Sequence, residues 1–156
     1  MPVTLKQYYQ AGLLRNNGTI NLLNAAITMA LVTKTYTPNL DTHTLWADVS
    51  ANEVATGSGY TTAGAVLPSL TLTRAGALTT WDCGDLTWAA LTKTFKYGVI
   101  YVNATVNGVV KPLLAVVDFD DTTTIAEVTS GGTDFVFQPS LSGLLVFGPD
   151  TTICGA

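Results

Sequence analysis

The sequence predicts an all-β fold, a sandwich or closed barrel, with one short N-terminal helix at about residues 4–15. Three observations carry this. Threonine occurs 26 times in 156 residues, and its β-branched side chain suits a pleated surface while tolerating water. Apolar runs are short, and the 14 glycines fall between them as turn residues. Some eight short strands follow one another at regular spacing, the pattern of a closed or two-layered β architecture. The length fits one domain spanning residues 1–156, large enough to bury a core without staples.

The helix is read from Thr4-Leu5-Lys6-Gln7, which matches a capping box, with Val3 and Tyr8 placed as the accompanying staple. Leu5, Tyr8, Tyr9, Gly12 and Leu13 fall on one face, and Asn16-Asn17-Gly18 stops the helix. It either closes one end of the β structure or docks on a neighbour. Ala26 to Thr35 reads as a strand, ended by Tyr36-Thr37-Pro38-Asn39. Leu40 to Ala65 is a long irregular stretch, anchored by Trp46, Val49 and Val54, with a short helix near Thr44 to Val49.

Leu70 to Thr73 alternates as a half-buried strand does, and Gly76 turns the chain. Leu78 to Cys83 and Asp85 to Trp88 make two further strands, and Tyr97 to Val102 is apolar enough to be fully buried. Asn107-Gly108 is the best hairpin signal, because a type I′ turn needs positive φ at both central residues. It joins Tyr97–Val106 to Val109–Phe119, where Lys111-Pro112 suggests a sheet edge or a bulge. Thr122 to Val128, Phe135 to Phe137 and Leu144 to Phe147 complete the series before Gly148-Pro149.

Charge narrows the function. Only 12% of residues are charged against 47% hydrophobic, which argues for a fold throughout and a surface poorly protected against association. The net charge is −4, and Lys6, Arg15, Lys34, Arg74, Lys93, Lys96 and Lys111 are scattered. Nucleic-acid binding rests on clustered cations, so no nucleic acid is expected as partner, and no polybasic membrane anchor is present. No apolar run approaches the ~18 residues of a membrane span, and the opening Met1-Pro2-Val3-Thr4 lacks the features of a secretory signal. Cys83 and Cys154 have no metal or framework spacing, and both thiols are expected to be free in a reducing cytosol.

No catalytic, cofactor or metal site is expected, because each candidate has a plainer reading. His43, the single histidine, lies in the polar stretch Asp41-Thr42-His43-Thr44 and has no Gly-x-Ser-x-Gly elbow beside it, so it reads as a solvated loop residue. Asp118, Asp120 and Asp121 offer hard oxygen ligands, yet Thr123 and Thr129 stand where an EF-hand needs Gly and Glu, so a solvated strand end is expected. Asp82 and Asp85 flank Cys83-Gly84 as turn residues rather than as a glycosidase pair. Gly57-Ser58-Gly59-Tyr60-Thr61-Thr62-Ala63-Gly64 lacks the spacing and lysine of a phosphate loop. Trp46, Trp81 and Trp88 are expected in the core rather than on a carbohydrate platform.

Several segments together resemble small tailed-bacteriophage virion proteins of the head decoration or cement type. They are Ala30 to Asn39, Glu53-Val54, Gly57 to Tyr60 and Ala63-Gly64, then Leu86 to Leu91 leading into Phe95 to Tyr101, then Leu113 to Asp118 and Phe135 to Phe137. The likeness is a pattern of turns and core residues running from the N-terminal helix to about Phe147. It implies a jelly-roll-like β-sandwich and a non-enzymatic role on the outer capsid surface of the virion, after assembly in the host cytoplasm. The partner would be the major capsid protein, whose neighbouring subunits it would bridge, and itself as a dimer or trimer on a local symmetry axis. Exposed strand edges such as Val109–Val117 would add a strand to the partner. A tail, neck or fibre-base part or a receptor-binding module stands as the alternative. A carbohydrate-acting enzyme using Asp82, Asp85 or the Asp118 cluster is a third reading, from a different class.

Overall fold

The computed structural model describes residues 3–120 and 127–148. The described residues are mainly β with one α-helix. Three strands form its centre: β2 (Ile27–Val32), β8 (Tyr97–Val102) and β11 (Leu113–Asp118). All six residues of β2 are buried, as are nearly all of β8 and β11. Each is apolar almost throughout, with Thr28 inside β2 and Asp118 at the end of β11 the exceptions, as a strand covered on both faces requires. With β1 (Thr4–Gln7) and β3 (Ala65–Val66) they make a five-stranded antiparallel sheet ordered β1-β11-β8-β2-β3. No sheet of the described residues closes on itself, since each strand order ends on two edges.

Register separates the two faces of this sheet. Tyr97, Val99 and Tyr101 lie across from Val32, Ala30 and Thr28 on one face. That face is covered by the long irregular segment, whose Trp46 stacks on Tyr101 at 4.3 Å, and by Tyr36, edge-on to Tyr97. The opposite face carries Ile27, Met29 and Leu31 beside Val102, Ile100 and Gly98. Gly98 leaves the gap that the Phe119 ring fills. Phe119 then joins an edge-to-face cluster with Phe95, Phe135 and Phe137. The last two belong to β13 (Phe135–Phe137), which pairs with β6 (Leu86–Trp88). Two-stranded pieces β7 (Thr94–Phe95) with β12 (Val128–Thr129), and β9 (Thr105–Val106) with β10 (Val109–Val110), complete the periphery. A separate three-stranded sheet is ordered β14 (Leu145–Phe147), β5 (Leu78–Asp82), β4 (Thr71–Ala75).

The N-terminus departs from the sequence expectation of a helix over 4–15. Thr4-Leu5-Lys6-Gln7 is strand β1, registered Thr4 to Asp118 and Gln7 to Ala115. The helix α1 runs Tyr9–Asn16, and Tyr8 caps it without a side-chain hydrogen bond. The outer edge of β11 needs backbone partners once it is buried, and that demand outweighs a local capping box. The later start also rotates the apolar face. Tyr8, Ala11 and Leu14 are buried, whereas Tyr9 and Leu13 face solvent.

Two more expectations are corrected. β4 is not half-buried, because all five of its residues are exposed. Of Val109–Val117, the part Leu113–Val117 offers no free edge, because β11 is paired on both sides, while Val109–Val110 pairs with β9 alone among the described residues and keeps an open side. Lys111-Pro112 marks an irregularity instead: Lys111 has φ 46°, and the β11–β8 register shifts between Leu113 and Ala115. Asn107 (φ 46°) and Gly108 (φ 82°) turn between Val106 and Val109 as a type I′ hairpin demands. The long stretch is held rather than loose. It contains single 3₁₀ turns at Trp46–Asp48 and Ser50–Asn52, and Trp46, Val49 and Val54 are buried anchors.

Candidate interaction surface

His43 is not a solvated loop residue. Its Nδ1 accepts from the Asn39 backbone N–H at 3.3 Å and lies 2.8 Å from the Tyr36 hydroxyl, whose ring it stacks upon. A backbone amide only donates, so Nδ1 is the acceptor and Tyr36 donates to it. Tyr36 in turn lies 2.7 Å from the buried Tyr8 hydroxyl, which completes a relay of three side chains. A serine-protease-like triad needs the reverse, with Nδ1–H donated to a carboxylate. The relay ties the base of α1 to the long segment.

Asp118 is occupied by an internal cation. Lys96, with only 7% of its side chain exposed, places Nζ 3.1 Å from Asp118 Oδ1 and donates to the Asp120 carbonyl at 2.7 Å. The Asp120 backbone N–H also donates to Asp118 Oδ1. Asp120 is buried beyond the end of β11, so it does not share a strand face with Asp118. Asp121 lies outside the described residues, and among these no group of three His, Cys, Asp or Glu is arranged to hold a metal ion.

The ion pair has a measurable consequence. Lys96→Met strands a partly buried carboxylate, and we expect a loss of about 3 kcal/mol in urea unfolding. Adding Asp118→Asn to that variant should recover more than half of it. Simple additivity of the two single losses would show that the pair is not coupled.

The other candidates fall into structural roles. Asp82 Oδ1 accepts from the Cys83 N–H, and Asp85 Oδ2 accepts from the Gln138 amide. Between them Cys83 is buried, its thiol pushed up to about 12, first by desolvation and then by the two carboxylates. A nucleophilic cysteine needs the opposite environment. Cys154 lies outside the described residues. The three tryptophans are core: Trp81 is fully buried and donates Nε1–H to the Leu22 carbonyl, and Trp88 packs on Phe135. The glycine-rich stretch is pinned by Glu53, which accepts from the Tyr60 hydroxyl at 2.7 Å and the Ala63 N–H at 2.6 Å.

What remains is surface, and the β14-β5-β4 sheet is its most distinctive part. β4 and β5 form a two-residue hairpin closed by Ala75 and Leu78, with Gly76 (φ 60°) at the first turn position. Pairing across the sheet puts Thr71, Thr73, Ala75, Leu78, Thr80 and Val146 on one outward face, with Asp82 at its end. Leu78 is 47% exposed and Val146 47%, and only Asp82 carries charge there. The closing pair of such a hairpin is hydrogen-bonded, and bonding alternates along the ladder. Thr71, Thr73 and Ala75 therefore bond to β5. Leu72 and Arg74 turn their N–H and C=O to the open side, where no strand of the described residues pairs.

Sequence reasoning missed this surface because Leu70 to Thr73 alternates as any half-buried strand does. All five residues of β4 are exposed, which local pattern does not encode. Among the described residues no helix is long and apolar enough to cross a membrane. In the comparisons with known proteins, no family model, no curated protein and no solved structure matches the chain.

Proposed function

We propose that the chain is a non-enzymatic decoration, or cement, protein of a phage capsid, binding the outer surface and stabilising the lattice of the major capsid protein. The observation that carries this is the β14-β5-β4 sheet, hydroxyl-rich and nearly uncharged on its outward face, whose β4 edge has no strand partner among the described residues. Such a face suits a wide, partly polar contact of modest strength per copy. Repetition over a lattice supplies avidity, and binding the assembled shell but not its broken form stabilises the shell by mass action. The resemblance to head decoration proteins in the segments from Ala30 to Phe137 supports the same reading.

On this reading the antiparallel sheets are a jelly-roll-like sandwich. The partners are the major capsid protein and further copies of the chain, as a dimer or trimer at a local symmetry axis, with no role for nucleic acid or membrane. The structural roles of His43, Asp118 and Cys83 accord with a protein that binds rather than turns over substrate.

The test is co-sedimentation of purified protein with mature heads stripped of their decoration. Saturable binding in high copy number, with heads that resist heat bursting, is expected. Binding confined to a few copies at the portal end would transfer the chain to the tail or neck, and no binding would reject the capsid role.

A further inference from the structure

The groove beneath the β4 edge is chemically unlike the outward face. It measures about 390 Å³ and is lined by Arg15, Ile20, Leu22, Leu72, Thr79 and Phe147, with Asn16 and Asn21 at its rim. Leu72 is 45% exposed although it shares a face with the fully buried Trp81. Leu72 therefore lines the groove with its side chain partly uncovered. Arg15, in the last turn of α1, lays its guanidinium on the Phe147 ring, 3.8 Å from the centroid. Its Nη1 is buried and has no hydrogen-bond partner among the described residues. Burial works against the charge of this arginine, and beyond the Phe147 ring face no anion of the described residues offsets it. Arg74, two residues along β4 from Leu72, directs its Nε to the Gly76 carbonyl at the hairpin turn, and among the described residues no acid lines the groove.

We propose that the groove and the β4 edge receive an extended partner segment of apolar and acidic character, which adds to β4 as a strand and sets a carboxylate on Arg15. The outward N–H and C=O groups of Leu72 and Arg74 supply the ladder, as in β-strand addition. Ile20, Leu72 and Phe147 take alternate apolar side chains, since residues two apart on the added strand face the groove together. Arg15 offers a carboxylate the planar, preoriented donor that such recognition favours. Charge decides between occupants. A second copy paired through β4 about a two-fold axis would bring another Arg15 and another Arg74 to an edge that already carries these cations, whereas an acidic segment offsets the charge of Arg15. The inference deepens the decoration reading by giving that contact its chemistry, and it is testable without capsids.

The probe is a short blocked peptide alternating valine and threonine around one aspartate, beside its asparagine counterpart, titrated into the full chain by NMR. Shifts are expected at the Leu72 and Arg74 amides and at the Arg15 side chain, with the asparagine peptide about tenfold weaker. Arg15→Met should erase the preference between the two peptides. Leu72→Pro, which removes an outward N–H on an edge strand where proline is tolerated, should abolish binding in a chain that stays folded. Equal affinity for the two peptides, shifts elsewhere, or no shifts would overturn the proposal. So would broadening of the same amides with protein concentration alone, which would assign the edge to a second copy. Peptide binding without head binding rejects the decoration reading and leaves this one standing; the converse rejects only this one.

Discussion

Gly64→Ala is expected to lower stability by about 4 kcal/mol, whereas Gly18→Ala should lower it by about 1 kcal/mol. Both glycines hold nearly the same backbone angle, φ +77° and +79°. The left-handed penalty is therefore common to both, and packing makes the difference. A Cβ at Gly18 meets nothing within 4 Å. A Cβ at Gly64 would overlap the Met29 carbonyl oxygen and stand 2.6 Å from its carbon and 2.7 Å from the Ala30 Cα. These are backbone atoms of β2, which is locked between β8 and β3 and cannot retreat. Relief has to come from the other side, by lifting the 53–64 segment off the sheet. That movement would strain the bonds that tie the segment to the sheet: the Leu31 N–H to the Tyr60 hydroxyl, the Val54 N–H to the Leu31 carbonyl, and the Tyr101 hydroxyl to the Ala63 carbonyl. Urea midpoints of the two variants decide the matter, and similar losses would mean that the close approach at Met29 carries no energy.

Gly64 also shows what the sequence makes legible. A glycine-rich stretch was readable as a turn and not as a phosphate loop, but the strand it touches was not, because that contact joins residues far apart in the chain. The same division runs through the fold. β2, β8 and β11 were evident because a run such as Val99-Ile100-Tyr101-Val102 has no polar side to expose. Asn107-Gly108 was evident because few dipeptides accept positive φ twice. Thr4-Leu5-Lys6-Gln7 satisfies both a capping box and a strand alternation, and only the unmet edge of β11 chooses between them. His43 was misread for a similar reason. Its loop is polar, and nothing local announces that Tyr36 and Tyr8 end in line with its ring. At the candidate surface, Arg15 and Leu72 are separated by most of the first half of the chain. Their meeting in one groove is a product of tertiary packing alone.

Alkali should unfold the protein cooperatively above about pH 10.5, well before its buried phenols ionise in the native state. Tyr8, Tyr36, Tyr60 and Tyr101 are all raised above the ordinary phenol value of 10.0, in each case chiefly by burial. For Tyr60 the Glu53 carboxylate that accepts its proton adds to the effect, and for Tyr8 the bond to Tyr36 does so. Cys83 moves the same way, from 9.0 to about 12. The sign follows from proton counting. Above pH 9 the unfolded chain releases the Cys83 proton, and above pH 10 it releases those of the tyrosines, while the folded chain keeps them. The unfolded state then binds fewer protons, so stability falls as pH rises, beginning at the unfolded values. Below pH 9 the contribution of these groups is fully present. One pH unit past the unfolded value, Tyr8, Tyr60 and Tyr101 each remove about 1 kcal/mol, allowing for partial solvent screening, and Tyr36 acts in the same direction. Tyr8, Tyr60, Tyr101 and the Cys83 thiol together remove several kcal/mol by about pH 11, a large share of what a domain this size holds. Circular dichroism against pH, with ring-carbon NMR shifts of the buried tyrosines and thiol-reagent uptake at Cys83, reads the three events separately. They should coincide in one transition. Phenolate forming at these four rings while the β signal stays intact would show that the interior admits hydroxide without unfolding. Tyr101→Phe offers a further check, since it deletes one titrating group and one bond to the Ala63 carbonyl. It should weaken the protein at neutral pH and make the loss above pH 10 shallower, a pairing that a general softening of the core would not produce.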